Sequence, residues 1–173
     1  MKLTQEENFF PNLDLILPQI KKIPLYNIND IKKISENPGV WPGLRSELLG
    51  ISCPILHEFI VNLILQKKYL KGGDWQINSF LHLRLKEHET DDWIHKDPDE
   101  YSALIYLSNS NLSSGTKLYD ENENVINDIK FVKNRYIMYS GSYKHMAYGH
   151  HGSSIEDGRL TLNIFFNRIN NGS

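Results

Sequence analysis

The apolar residues of this chain change their spacing at Gly72-Gly73, and that change limits the folds open to it. From Cys53 to Leu70 they fall at Ile55, Leu56, Phe59, Ile60, Leu63 and Ile64, the spacing of one helical face, and the glycine pair supplies a stop. Beyond it the period becomes two: residues 76–85, QINSFLHLRL, alternate like a strand with one buried face. The expected fold is mainly β with N-terminal helices, an α+β arrangement. A length of 173 residues suits a single domain, with 1–72 as a helical support region and 73–170 as the β core.

Other elements follow the same signals. Pro11-Asn12-Leu13-Asp14 opens a short helix carrying Leu15, Ile16, Ile20 and Ile23, and Asn29-Asp30 caps a second with Ile31 and Ile34 on its apolar face. Residues 37–45, NPGVWPGLR, read as a loop. Trp93 to Asp97 is a short strand-like piece ending at Pro98, Tyr101 to Ser108 is a strand, and Asn109 to Gly115 is a polar turn. Thr116–Tyr119 and Val125–Phe131 flank an acidic turn, and Arg135–Tyr139 and Arg159–Phe166 complete the series. Short strands at regular spacing indicate a sandwich or barrel. The sequence shows no internal repeat and no low-complexity linker.

Composition excludes several classes. A formal charge of −2 and a pI near 6.4 give no overall attraction to nucleic acid or to an anionic membrane. The single cysteine, Cys53, precludes an intramolecular disulfide and a thiolate zinc site within one chain. The opening MKLTQEENFF lacks the apolar run of a signal peptide, and no apolar stretch is long enough to span a bilayer. The expectation is a soluble, cytoplasmic protein.

The chemistry-bearing residues cluster in the β half. In His95-Lys96-Asp97 the first and third residues share one strand face, so an imidazole nitrogen and a carboxylate oxygen reach the same ion. A further histidine from elsewhere gives the two-His, one-carboxylate facial triad of non-haem Fe(II) sites, with three positions left open. His145, His150 and His151 are the candidates for it. In RLTLNIFF, Leu160, Leu162, Ile164 and Phe166 form a core face. Arg159, Thr161, Asn163 and Phe165 form the other, which begins with a guanidinium fork and a hydroxyl suited to a buried carboxylate.

The order of these pieces resembles a known family. The stretch from Gln76 to Asn167 is similar to the double-stranded β-helix (jelly-roll, cupin-like) core of the 2-oxoglutarate- and Fe(II)-dependent oxygenases, closest to their prolyl-hydroxylase-like branch. HKD at 95–97 matches the family's His-x-Asp, and YSALIYLS matches the strand that follows. SSGTKLY at 113–119 resembles its Gly-Gly-x-Thr turn and strand, with Ser114 in place of one glycine. NRYIMYSGSYKH resembles the approach to the distal histidine. The resemblance implies iron ligands His95, Asp97 and His145. It also implies a 2-oxoglutarate carboxylate held by Arg159, Thr161 and Tyr106.

It further implies Fe(II) with 2-oxoglutarate and dioxygen as co-substrates, stimulation by ascorbate, and release of succinate and CO2. The primary substrate would be a proline-like peptidyl residue or a small metabolite. A carboxylate at Asp97 favours hydroxylation over halogenation, because related halogenases lack one there. His145 and Arg159 are fourteen residues apart, a wider spacing than is common in this branch. The extra residues lie in GHHGSSIEDG, which keeps His150 in reserve as distal ligand. Leu85 stands where some relatives carry a second tyrosine. Trp41-Pro42-Gly43 with Arg45, and the segment Glu87–Trp93, are candidates to line the entrance. Two other readings keep the β architecture: a cupin-like metal enzyme that does not use 2-oxoglutarate, and a non-catalytic β-sandwich binding module.

Overall fold

Alternation along the strands sorts the side chains into two layers, and two antiparallel sheets result. The computed structural model describes residues 3–33, 41–67, 69–70 and 72–169. Among the described residues, nine strands run in the order β1 (Thr4–Glu6), β2 (Leu44–Arg45), β3 (Trp75–Arg84), β4 (Tyr101–Tyr106), β5 (Asn111–Tyr119), β6 (Val125–Phe131), β7 (Tyr136–Ser140), β8 (Lys144–Tyr148) and β9 (Arg159–Arg168). The major sheet has the order β1-β7-β4-β9-β3-β2, and the minor sheet β6-β5-β8. The helices are α1 (Leu13–Ile20), α2 (Ile28–Ile31), α3 (Leu49–Ser52) and α4 (Pro54–Gln66), with a 3-10 helix at Lys86–Asp91.

The major sheet is covered on both faces. Leu160, Leu162, Ile164 and Phe166 of β9 and Ala103 and Ile105 of β4 point to the helices, where Leu49, Ile60 and Ile64 meet them. Each of these large aliphatic side chains contributes about 1.5–3 kcal/mol by leaving water. Leu104, Tyr106, Ile137 and Tyr139 point the other way, onto Leu118, Ile129 and Phe131 of the minor sheet. The expected core face of β9 is therefore the helix face, and its Arg159 face looks into the space between the sheets.

The N-terminal third departs from its sequence reading in several places. Its segments β1 and β2 are strands that close the two edges of the major sheet, pairing with β7 and β3. Helix α2 is capped by Asn27, whose side chain accepts from the backbone N–H groups of Asn29 and Asp30, so the cap lies earlier than Asn29-Asp30. Helix α4 ends at Gln66, well before the glycines. Its buried stripe is only Ile60 and Ile64, while Ile55 and Phe59 are 85% and 41% exposed, because a single helix meets the sheet along a narrow line. Leu15 of α1 likewise faces solvent. Ile34 and residues 37–40 of the expected loop lie outside the described residues.

Two strand boundaries also differ. β5 begins at Asn111, inside the expected polar turn, and an irregularity between Asn111 and Gly115 absorbs Leu112, Ser113 and Ser114. His145 sits within β8, a strand absent from the series read in the sequence, and Trp93–Asp97 forms no ladder beyond one bridge from His95 to His145. Among the described residues, no helix is long and apolar enough to cross a membrane.

A candidate metal centre and the cavity beside it

The bridge between His95 and His145 is the frame of the site. The N–H of each residue donates to the other's carbonyl, at 3.1 and 2.8 Å, which sets the two imidazoles side by side with centroids 4.3 Å apart. Nδ1 of His95 lies 2.9 Å from the Trp93 carbonyl, and Nδ1 of His145 lies 3.1 Å from that of Tyr143. A carbonyl oxygen only accepts, so Nδ1 carries a proton in both rings, and Nε2 is the nitrogen left to face a metal.

Asp97 enters from the segment after the bridge. Its N–H donates to the Gly141 carbonyl at 3.1 Å, and the Gly141 N–H donates to Glu100. The chains run so close that a Cβ on Gly141 would lie 2.0 Å from the Asp99 carbonyl oxygen, so only glycine fits. The Ser102 hydroxyl donates to Asp97 Oδ2 and turns the carboxylate, which stands 3.9 Å from His95 Nε2 and 3.4 Å from His145 Nε2. The ligand atoms of His95, Asp97 and His145 all lie within 4.8 Å of one another. Two imidazoles and one carboxylate, each oriented by an outer hydrogen bond, are a donor set that fits a divalent transition metal. Burial holds His145 below its ordinary pKa, opposed by Asp97 and aided by His95, so its ring favours the neutral, ligating form.

The triad opens into a cavity of about 330 Å³, small for a ligand site. The floor is the inner face of the major sheet, and the strand registers set its rows. Arg84 stands opposite Arg159; Arg45, His82, Thr161 and Tyr106 form the next row; Phe80, Asn163 and Leu104 the third; Phe165, Ser102 and Tyr139 the fourth, at the metal end.

Arg159 is 2% exposed, and among the described residues no carboxylate pairs with it. Its Nη2 donates to the Gly115 carbonyl at 3.2 Å and to Thr116 Oγ1 at 3.3 Å, while its buried Nε has no partner. The Tyr106 hydroxyl also donates to Thr116 Oγ1, at 2.9 Å. Both lone pairs of the Thr116 hydroxyl are thus occupied, and its own proton is left to donate. Thr116 lines the cavity with Arg159; Tyr106 is fully buried behind it. Thr161 is turned away, its hydroxyl donating to Asn163 Oδ1 at 2.7 Å.

The reserve histidine belongs to a different cluster. His150 is buried with Nε2 on Asp92, and the same carboxylate pairs with Arg84 at 2.8 Å. His150 is not among the converging ligand atoms. His151 lies edge-on to Phe131. Of the entrance candidates, Trp41, Pro42, Arg45, Asp92 and Trp93 line the cavity. Thr116 and Tyr139 were not singled out as site residues from sequence; the Gly115-Thr116 pair after a small-residue run was the available signal for the first.

Comparison with known proteins agrees on architecture. No protein-family model matches the sequence, and no curated protein sequence is similar enough to match. Among solved structures, an oxidoreductase of the 2OG-Fe(II) oxygenase family from Burkholderia pseudomallei superposes with a TM-score of 0.68 at 14% identity, covering 97% of this chain and 85% of its own. A prolyl-4-hydroxylase from Pseudomonas putida gives a TM-score of 0.61 at 16% identity, covering 96% and 92%. HygX from Streptomyces hygroscopicus, solved with nickel, 2-oxoglutarate and hygromycin B bound, gives 0.60 at 8% identity, covering 97% and 83%. The fold is the double-stranded β-helix that 2-oxoglutarate/Fe(II) oxygenases have, prolyl hydroxylases among them.

Proposed function

We propose that this chain is a single-domain 2-oxoglutarate-dependent Fe(II) oxygenase that hydroxylates its substrate, with succinate and CO2 as co-products. One observation carries the reading: a buried arginine, without a paired carboxylate among the described residues, faces the same small cavity as a converging His-Asp-His triad. A cupin-like metal enzyme has use for the triad but none for Arg159, and a binding module has use for neither.

His95, Asp97 and His145 would hold the metal by Nε2, a carboxylate oxygen and Nε2. Bound Fe(II) with 2-oxoglutarate supplies the oxidising power, and the chain supplies position and shelter. Arg159 would pair with the carboxylate of 2-oxoglutarate far from the metal. Thr116 would add the hydroxyl proton that Tyr106 and Arg159 leave free, and Thr161 would steady Asn163 beside it. A guanidinium and a hydroxyl donating to one carboxylate in a dry site are among the stronger polar contacts available. Stimulation by ascorbate belongs to the same reading.

The test is an anaerobic titration of metal-free protein with Fe(II) and then 2-oxoglutarate, following the weak visible charge-transfer band of the chelate. The expected result is a band in the wild type and a much higher 2-oxoglutarate requirement in Arg159→Met. Iron binding without a band would overturn the co-substrate assignment, and absence of iron binding would overturn the triad.

A further inference from the structure

The cavity contains a cation that neither the metal triad nor the co-substrate uses. Arg45 projects from edge strand β2, and its guanidinium lies 3.7 Å from the Phe80 ring centroid, 4.9 Å from Trp41 and 5.6 Å from Phe165. Three aromatic rings thus surround the guanidinium, a cation–π environment that supplies no anionic partner. Among the described residues, its side chain makes no hydrogen bond and no ion pair, and its Nε is buried without a partner. Arg45 starts in the row of His82 and lies over Phe80 and Phe165, so it reaches toward the metal end, away from Arg159.

The charge balance of the cavity points the same way. Its lining carries the guanidiniums of Arg45, Arg84 and Arg159 against the carboxylates of Asp92 and Asp97. Lys96, on the rim, is paired with Glu121. Asp92 neutralises Arg84. A divalent metal and the dianion of 2-oxoglutarate together offset Asp97 and Arg159 and leave one positive charge in excess, on Arg45. Leaving such a charge buried without a paired carboxylate is unfavourable. Burial lowers the Arg45 pKa to about 10, with Asp97 and Asp99 opposing the shift, so the guanidinium stays charged at neutral pH.

We infer that the primary substrate is a small molecule bearing a carboxylate, which Arg45 receives in its aromatic box so that a neighbouring carbon of the substrate faces the metal. The inference rests on the oxygenase reading above and narrows its substrate, open between a peptidyl residue and a small metabolite, to a free acid. The volume agrees, since about 330 Å³ must hold 2-oxoglutarate together with the reacting part of the substrate.

The test uses the full chain loaded anaerobically with Fe(II) and saturating 2-oxoglutarate. Acetate, benzoate and L-proline are titrated against acetamide, benzamide and L-prolinamide by calorimetry. At least one acid is expected to bind about tenfold or more tightly than its amide in the wild type. That preference should vanish in Arg45→Met, which keeps the length of the stem, and be partly retained in Arg45→Lys. Fe(II) and 2-oxoglutarate affinities should be unchanged in both variants. Equal binding, or no binding, of every acid and amide pair would overturn the inference, as would an acid preference that survives Arg45→Met. A weakened 2-oxoglutarate affinity in Arg45→Met would also overturn it by assigning Arg45 to the co-substrate. Failure of the wild type to form the 2-oxoglutarate chelate is a separate result, and it removes the oxygenase reading itself.

Discussion

Arg84 and Arg159 stand directly opposite one another across the β3–β9 ladder, both 2% exposed, yet among the described residues only Arg84 has a carboxylate, Asp92, paired with it. Like charges on facing strand positions repel, so this arrangement persists because one member is neutralised and the other is directed into a cavity. The asymmetry separates the two arginines: Arg84 belongs to the protein's own framework, and Arg159 is available to a ligand.

Arg159→Met should therefore weaken 2-oxoglutarate binding without weakening the fold. The loss of a charge-assisted hydrogen-bond pair is worth about 1.5–3 kcal/mol, or roughly tenfold to a hundredfold in affinity. Removing an uncompensated buried cation should leave the melting temperature of the metal-free protein unchanged or raise it. Calorimetric 2-oxoglutarate titration and a thermal melt check the two halves. A large loss of stability would show that Arg159 is structural.

Asp92→Asn should show the opposite pattern. It removes the carboxylate that pairs with the buried Arg84 guanidinium and breaks the contact with His150. Breaking a buried ion pair from one side costs about 3–5 kcal/mol, which urea denaturation would reveal as a clear fall in midpoint. A midpoint within experimental error of the wild type would show that the pair contributes nothing net.

The two histidine candidates can be ranked by metal affinity. His145→Ala should reduce Fe(II) affinity by more than about a hundredfold, beyond the range typical of outer hydrogen-bond partners. His150→Ala should change it little, because its ring is held by Asp92 and lies outside the converging set. The reverse ranking would move the distal ligand into the loop after β8.

Stability should also depend on pH through His82. Its Nε2 lies 2.7 Å from the Pro42 carbonyl, and its pKa is held well below 6.5 by burial, then by Arg45, Arg84 and Arg159, with the Pro42 contact opposing. Above about pH 6.5 the ring is neutral both folded and unfolded and contributes no slope. Below it the unfolded chain takes up the proton first, so stability falls as pH drops, by at most about 1.4 kcal/mol per unit. Urea midpoints between pH 7.5 and 5.5, for wild type and His82→Asn, would measure this; identical slopes would exclude His82 as the source.

Much of the architecture could be read in advance because alternation is a local signal. β3, β4, β6, β7 and β9 fall where the period of two places them, and the buried row of Leu160, Leu162, Ile164 and Phe166 is visible in eight letters. What escaped depends on partners distant in sequence. β1 and β2 are too short for a periodic signal and exist as strands only because β7 and β3 offer free edges. Ile55 and Phe59 have the spacing of a core face, but the sheet meets α4 along Ile60 and Ile64. In the site, His-x-Asp announces itself by spacing. Thr116 acquires its significance from hydrogen bonds to Tyr106 and Arg159, ten and forty-three residues away. Arg45 matters because three rings enclose it, Phe80 and Phe165 from distant positions, while, among the described residues, no carboxylate pairs with it, which no linear pattern records.

The backbone bridge between His95 and His145 has a kinetic consequence. The two imidazoles are spaced by main-chain hydrogen bonds, and Asp97 is turned by Ser102, so none of the three depends on an ion for its orientation. The entropy of bringing the ligands together is lost when the strands pair, before any metal arrives. Metal capture then requires only the shedding of water from the ion and from three already aligned atoms. Loading and unloading should proceed without unfolding, and the metal-free chain should keep the shape of the loaded one.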